Sequence, residues 1–139
     1  TWLFHQYGVT GWLYYDTLQT GKQTAAEIWH NPASFIVQEQ NRELVFNGDG
    51  LLIYPGFADN YGLDAPVPSL RLKWLREAVE DYIYIELLYQ HGQADFARQQ
   101  IQRIARNFAD WQNDPELLMQ VRDQLGSRLA TIITSGSKP

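Results

Sequence analysis

Asp16, Asp49 and the adjacent pair Glu80-Asp81 are the carboxylates whose positions could serve chemistry. Glu80-Asp81 falls inside a regular helical pattern beside Tyr82, and neighbours one apart on a helix point in different directions, so this pair reads as solvated or ion-paired. Asp16 and Asp49 each flank an apolar, strand-like run, which makes them better candidates. Around them stand Trp12, Tyr14, Tyr15, Trp29, Tyr54 and Tyr61, with Asn31 and Asn60 as further polar groups. Aromatic faces stack on the C–H faces of a sugar ring while a few fixed polar groups take its hydroxyls, so this composition points to carbohydrate. Core packing of the same rings is the competing reading.

Other chemistries find no support. His5, His30 and His91 are far apart and lack metal-ligand spacing, so no metal is expected. There is no cysteine, hence no disulfide framework and no thiolate. No Gly-rich phosphate loop, nucleophile elbow or Ser/His/Asp signature occurs, and no cofactor is expected. A net charge of −5, with basic residues scattered through the helical half, argues against nucleic acid or an anionic membrane surface as partner. No apolar run approaches the ~18–20 residues that span a bilayer. The chain has 139 residues, the length of one domain with a real core. It opens on Thr1-Trp2-Leu3-Phe4 rather than Met, so an upstream segment, with any targeting signal, is expected to have preceded it.

The elements that would position these residues follow from local signals. Thr1–Tyr7 reads as the end of a helix stopped at Gly8. Thr10–Tyr15 is rich in strand formers and reads as a buried strand, which puts Trp12 and Tyr14 on one face and Leu13 and Tyr15 on the other. Asp16–Gly48 reads as long and irregular, with a turn at Asn31-Pro32 and a small extra strand at Arg42–Phe46. Leu51–Tyr54 reads as a second core strand. Ser69 is a plausible N-cap for a helix to about His91, stopped by Gly92, with Leu75, Ala78, Val79, Tyr82, Ile85 and Tyr89 inward. A second helix is expected from about Ala94 to Trp111, with Ala97, Ile101, Ile104, Phe108 and Trp111 on its apolar side. A third starts at Asp114-Pro115 and buries Leu118, Val121, Leu125, Leu129 and Ile132. The tail 135–139 should fray.

Arg76 and Glu80 form an i, i+4 pair worth ~0.3–0.5 kcal/mol if exposed. Arg71, two turns before Glu80, lies at the helix start near the loop after Tyr54 and reads as an anchor for it, with contact to a ligand as the competing reading. Asp49, between glycines, reads as a turn cap.

Two core strands and three helices do not close a core, since a buried parallel strand needs neighbours on both sides. The fold class is therefore α/β, the C-terminal portion of a larger α/β barrel with about two core strands, followed by three antiparallel helices. Residues 1–92 would be barrel, and 93–134 a helical pair packed on it. In barrels the chemistry gathers at strand C-terminal ends, which favours Trp12, Tyr14, Tyr15, Asp16 and Tyr54.

The run Tyr7-Gly8-Val9-Thr10-Gly11-Trp12-Leu13-Tyr14-Tyr15, then Gly48-Asp49-Gly50-x-Leu52-x-Tyr54-Pro55-Gly56, resembles the C-terminal part of glycoside hydrolase family 123 catalytic domains and their uncharacterised relatives. Pro66-x-Pro68-Ser69-x-Arg71-Leu72, Leu75-Arg76-Glu77 and Glu80-Asp81-Tyr82-x-Tyr84 continue the resemblance to about Leu88. It implies a (β/α)8 barrel, of which this chain is the C-terminal part, with Thr10–Tyr15 and Leu51–Tyr54 as its last two strands. It also implies activity on terminal N-acetyl-β-galactosamine by substrate-assisted retention, in which an Asp orients the acetamido group and the neighbouring Glu is the general acid/base. That pair lies on an earlier strand in the family, and no Asp-Glu dipeptide occurs here. No catalytic residue is thus assigned, and the isolated segment should be inactive. Tyr15 stands where the family often has Trp. The resemblance favours a periplasmic or secreted address.

The expected substrate-binding residues are Trp12, Tyr14, Tyr15, Asp16, Trp29 and Tyr54, with Asp49, Arg71, Arg76 and Glu80 as structural anchors. The expected partners are carbohydrate and the remainder of the parent barrel. The alternative is a non-catalytic carbohydrate-binding or structural interaction module.

Overall fold

The structure is a computed structural model that describes residues 1–21, 23–56 and 62–136. It is a mixed α/β protein: five helices and three two-stranded antiparallel sheets among the described residues, with no closed barrel. Two compact units form, one from Trp12–Leu75 and one from Thr1–Gly11 together with Arg76–Pro139.

The short helix α1 (Phe4–Tyr7) lies outside the Trp12–Leu75 unit, whose first element is α2 (Ala25–His30). Its start is a capping box. Thr24 Oγ1 accepts from Glu27 N–H at 3.3 Å, while Glu27 Oε2 accepts from Thr24 N–H at 2.7 Å. Strands β1 (Ala33–Glu39) and β2 (Arg42–Asn47) form a hairpin whose two turn residues, Gln40 and Asn41, have φ of 43° and 67°. Positive φ at both central positions is the geometry whose twist matches the flanking strands. The region expected to be irregular is therefore a helix and a hairpin. The small extra strand anticipated at Arg42–Phe46 is β2.

Two further expectations need correction. Thr10–Tyr15 forms no strand; all of it is exposed except Tyr14, which is half-buried and held by hydrogen bonds of its hydroxyl. Leu51–Tyr54 is not a parallel core strand. Only β3 (Ile53–Tyr54) is strand, paired antiparallel with β4 (Val67–Pro68), and Leu51 makes an isolated antiparallel bridge with Leu18. Pro68 accounts for the brevity, because it has no N–H to extend the ladder. Ile28, Leu51 and Leu52 supply the buried apolar centre of this unit.

The other unit is helical. It contains α1 (Phe4–Tyr7), the part of α3 (Leu70–Gln90) from Arg76 onward, α4 (Ala94–Ile104), the β5–β6 hairpin (Ala105–Asn107 and Asp110–Trp111) and α5 (Pro115–Gly136). α1 ends at Gly8, whose φ of 61° is the left-handed cap conformation. α5 starts as its sequence dictates: Asp114 Oδ1 accepts from Glu116 and Leu117 N–H at 2.9 and 3.3 Å. The core joins Ile85 and Leu88 of α3, Ala97, Ile101 and Ile104 of α4, and Val121, Leu125 and Leu129 of α5. His5 of α1 stacks between Tyr82 and Tyr89, with ring centroids 4.7 and 4.8 Å away.

The helix expected to reach Trp111 stops at Ile104. Ala105 turns extended, Asn107 Oδ1 accepts from Ala109 N–H at 2.8 Å, and Arg106 pairs with Asp110 at 2.7 Å across the hairpin. An Asn side chain that mimics a backbone turn competes with helix, and here it wins. Phe108 and Trp111 consequently point to solvent. The inward face of α3 is also rotated from the expected one. Val79 is 52% exposed, and the buried stripe is Asp81, Ile85 and Leu88.

Candidate functional site

The loop Gly48–Leu52 organises the polar and aromatic groups of the Trp12–Leu75 unit. Gly48 and Gly50 both adopt left-handed φ, 73° and 75°, where a Cβ is strained. They are also sterically committed. A Cβ on Gly48 would run into the Arg71 guanidinium, and one on Gly50 would lie 2.6 Å from Gln19 Cβ. The backbone closes the loop through Gly48 N–H to Pro32 O at 2.6 Å, Gln19 N–H to Gly50 O at 2.8 Å and Leu52 N–H to Thr17 O at 3.0 Å.

On this loop sits the Tyr14 hydroxyl. It donates to Asp49 Oδ1 at 3.1 Å and accepts from Gly50 N–H at 3.0 Å. The Trp12 ring lies 5.6 Å from the Tyr14 ring at an interplanar angle of 37°, and Trp12 is 56% exposed. Tyr15, 79% exposed, projects into solvent. Beyond the cis Tyr15–Asp16 peptide, Asp16 is half-buried and accepts from Thr17 N–H at 2.5 Å. The exposed Asp49 carboxylate, the Tyr14 phenol and the Trp12 indole are therefore together, while Asp16 is turned to its own backbone.

A second aromatic group joins Trp29 of α2 and Tyr54 of β3. Trp29 and Tyr54 rings are 5.0 Å apart, and Trp29 Nε1 donates to Pro55 O at 3.0 Å. Arg71 donates from Nε to Leu51 O at 3.2 Å and from Nη2 to Tyr54 Oη at 3.4 Å. The helix behind it is capped by Ser69, whose Oγ accepts from Leu72 N–H at 3.1 Å and whose N–H donates to Leu52 O at 2.9 Å. Asn60 and Tyr61 lie outside the described residues.

The Glu80-Asp81 pair belongs to the helical unit. Glu80 is exposed, 3.8 Å from Arg76 Nε, and Arg76 also pairs with Glu77 at 2.7 Å. Asp81 is 4% exposed. Its Oδ2 accepts from Trp2 Nε1 at 3.1 Å, and its Oδ1 lies 2.5 Å from Arg122 Nε. That close approach lies off the N–H axis, so it is an ion pair rather than an aligned hydrogen bond. Burial holds the Asp81 carboxyl above the ordinary carboxylate range, outweighing Arg122 and Trp2. Arg122 is itself drawn upward: burial, which lowers it, is outweighed by Glu77 and Asp81. Burial dominates at the carboxylate because Asp81 is the more enclosed partner.

Sequence reasoning passed over Leu70 and Trp74, which share a helix face with the site at i, i+4, and over the Asp81–Arg122 pair. The first was visible in the spacing; the second was not. No group of three or more candidate metal ligands occurs among the described residues. No helix among them is long and apolar enough to cross a membrane.

No family model matches the chain, and no curated protein matches it.

Proposed function

We propose that this chain supplies a carbohydrate-binding wall of a glycoside-hydrolase-like protein acting on terminal N-acetylhexosamine glycosides. The remainder of the parent protein contributes the catalytic Asp-Glu pair. The reading rests on one observation: an open indole, Trp12, beside a phenol, Tyr14, that is tied to an exposed carboxylate, Asp49. A pyranose stacks its C–H face on Trp12 while Asp49 accepts from ring hydroxyls, its direction fixed by the Tyr14 bond. Tyr14 spends both capacities of its hydroxyl on Asp49 and Gly50, so it holds the carboxylate rather than the sugar.

The test is a titration of the chain with the methyl β-glycosides of N-acetylgalactosamine, N-acetylglucosamine and glucose, followed by amide and indole NMR. Shifts centred on Trp12, Tyr14 and Asp49, with an N-acetylhexosamine preferred, are expected. Trp12→Ala should weaken binding about tenfold, the size of one stacking contact. Absence of saturable shifts with all three sugars overturns the reading. The full-length gene product should in addition hydrolyse aryl β-N-acetylhexosaminides, with the rate reduced by Tyr15→Ala. Sugar binding without hydrolysis would make the protein a non-catalytic carbohydrate-binding module instead.

A further inference from the structure

The first turns of α3 carry Leu70, Arg71, Trp74 and Leu75, and the i, i+4 spacing pairs Leu70 with Trp74 and Arg71 with Leu75 along the helix surface. With Tyr14 and Leu52 these residues line an open groove of about 590 Å³. That size lies within the ~300–1,000 Å³ of small-molecule sites, which are mostly apolar with a few placed polar groups. Leu70 is 69% and Trp74 59% exposed, so the walls are apolar surface left in water. An uncommitted Leu on a surface is ordinary, but a Leu and a Trp facing one concavity are not scattered singles.

Among the described residues that line the groove, one is charged, Arg71. Its two hydrogen bonds go to neutral oxygens, the Leu51 carbonyl and the Tyr54 hydroxyl. No carboxylate among the described residues forms an ion pair with it. Asp49, next to the Gly48 against which the guanidinium packs, is engaged by Tyr14 instead. Guanidinium is always charged and geometrically suited to carboxylate. With a single cation and otherwise apolar walls, a dianion would leave charge unmatched.

We infer that this groove binds a small apolar monoanion, a carboxylate or sulfonate carried on an aliphatic or aromatic body. The body lies along Leu70, Trp74 and Leu75, and the head group meets Arg71. The site is independent of the sugar reading, sharing only Tyr14 with it.

Three probes with one tail decide the matter: decanoate, 1-decanol and decylammonium, titrated below micelle formation into the full chain. Binding is read by calorimetry and by amide and indole NMR. Decanoate should saturate at one site and shift Leu70–Leu75, Tyr14 and Leu52. It should bind about tenfold tighter than decanol, the gain of one hydrogen bond to an ionised group, and tighter still than decylammonium. Trp74→Ala removes an exposed ring and should weaken decanoate about tenfold without unfolding the chain. Arg71→Gln should abolish the preference for decanoate over decanol. Because Arg71 also holds Leu51 and Tyr54, a variant that fails to fold leaves the decision to the three probes on the unaltered chain. Non-saturable decanoate binding, equal affinity for decanol or decylammonium, or shifts centred elsewhere overturns the inference.

Discussion

Asp81 and Arg122, 2.5 Å apart between Oδ1 and Nε, place a carboxylate in the apolar stripe of α3. Asp81 takes a position that a leucine could fill, directly one turn before Ile85. A buried charge is tolerable only while its partner is present, because desolvation costs more than the pair regains if either is lost. Arg122 also reaches Glu77 at 3.0 Å and Glu80 at 3.7 Å, so one guanidinium serves three carboxylates of the same helix.

Replacing Arg122 with Met should therefore destabilise the protein by about 3–5 kcal/mol, the usual result of orphaning a buried charge. Substituting both residues, Asp81→Leu with Arg122→Met, should recover most of that loss. Urea unfolding of the single and double variants measures it. A double variant no more stable than Arg122→Met would show that Asp81 is not the group left uncompensated.

The pH dependence of this pair runs against the usual carboxylate trend. The Asp81 carboxyl is raised above its ordinary value of 3.8, burial being the largest cause. Between 3.8 and the folded-state value the native protein therefore binds more protons than the unfolded chain, so stability falls as pH rises through that window. Half-buried Glu77 is lowered, first by its hydrogen bonds from Arg76 and Arg122, and contributes in the opposite sense, losing its stabilisation as pH falls. The Asp81 part is isolated by subtracting Asp81→Asn from the unaltered protein in unfolding experiments at several pH values. That difference should drift against the unaltered protein as pH rises from about 3.8 and then level off. A drift of opposite sign refutes it.

In the other unit, Tyr14→Phe deletes the hydroxyl that Gly50 N–H donates to and that Asp49 accepts from. Gly50 is buried, so its N–H is left without that partner, a loss of about 1–3 kcal/mol. Faster amide exchange at Gly50, with α4 and α5 unaffected, is the expected signature. Protection unchanged at Gly50 would mean that solvent or another acceptor replaces the hydroxyl.

These predictions also mark where the sequence was legible. Helices α3 and α5 were readable because Ser69, Gly92 and the Asp114-Pro115 step are local signals acting within one turn. The Thr24–Glu27 box was equally local and would have revealed α2. The β1–β2 hairpin was harder, since Ile36, Val37, Leu44 and Val45 are exposed to similar degrees and leave no alternation to read. Thr10–Tyr15 has strand-forming residues without a strand to pair with, so propensity misled. Asp81 in an apolar stripe is intelligible only through Arg122, which lies on another helix. Likewise, the aromatic composition of the site was plain, but the Tyr14–Asp49 bond joins residues 35 apart and no spacing rule announces it.

Gly48 offers the sharpest test of how the loop and Arg71 depend on each other. At φ 73° any side chain incurs the left-handed penalty of about 1–2 kcal/mol. Gly62 incurs the same penalty at φ 62°, but a Cβ there meets nothing within 4 Å. At Gly48 the methyl must also displace the guanidinium, and with it the bonds to Leu51 and Tyr54. Gly48→Ala should thus cost more than Gly62→Ala by about 1 kcal/mol or more, as hydrogen bonds from a charged group are lost. Arg71→Ala in the Gly48→Ala background should then cost less than Arg71→Ala alone, because the methyl has already disrupted what Arg71 provides. Thermal or urea unfolding of the four proteins yields the coupling. Strict additivity of the two substitutions would show that the guanidinium does not occupy the space above Gly48 in solution.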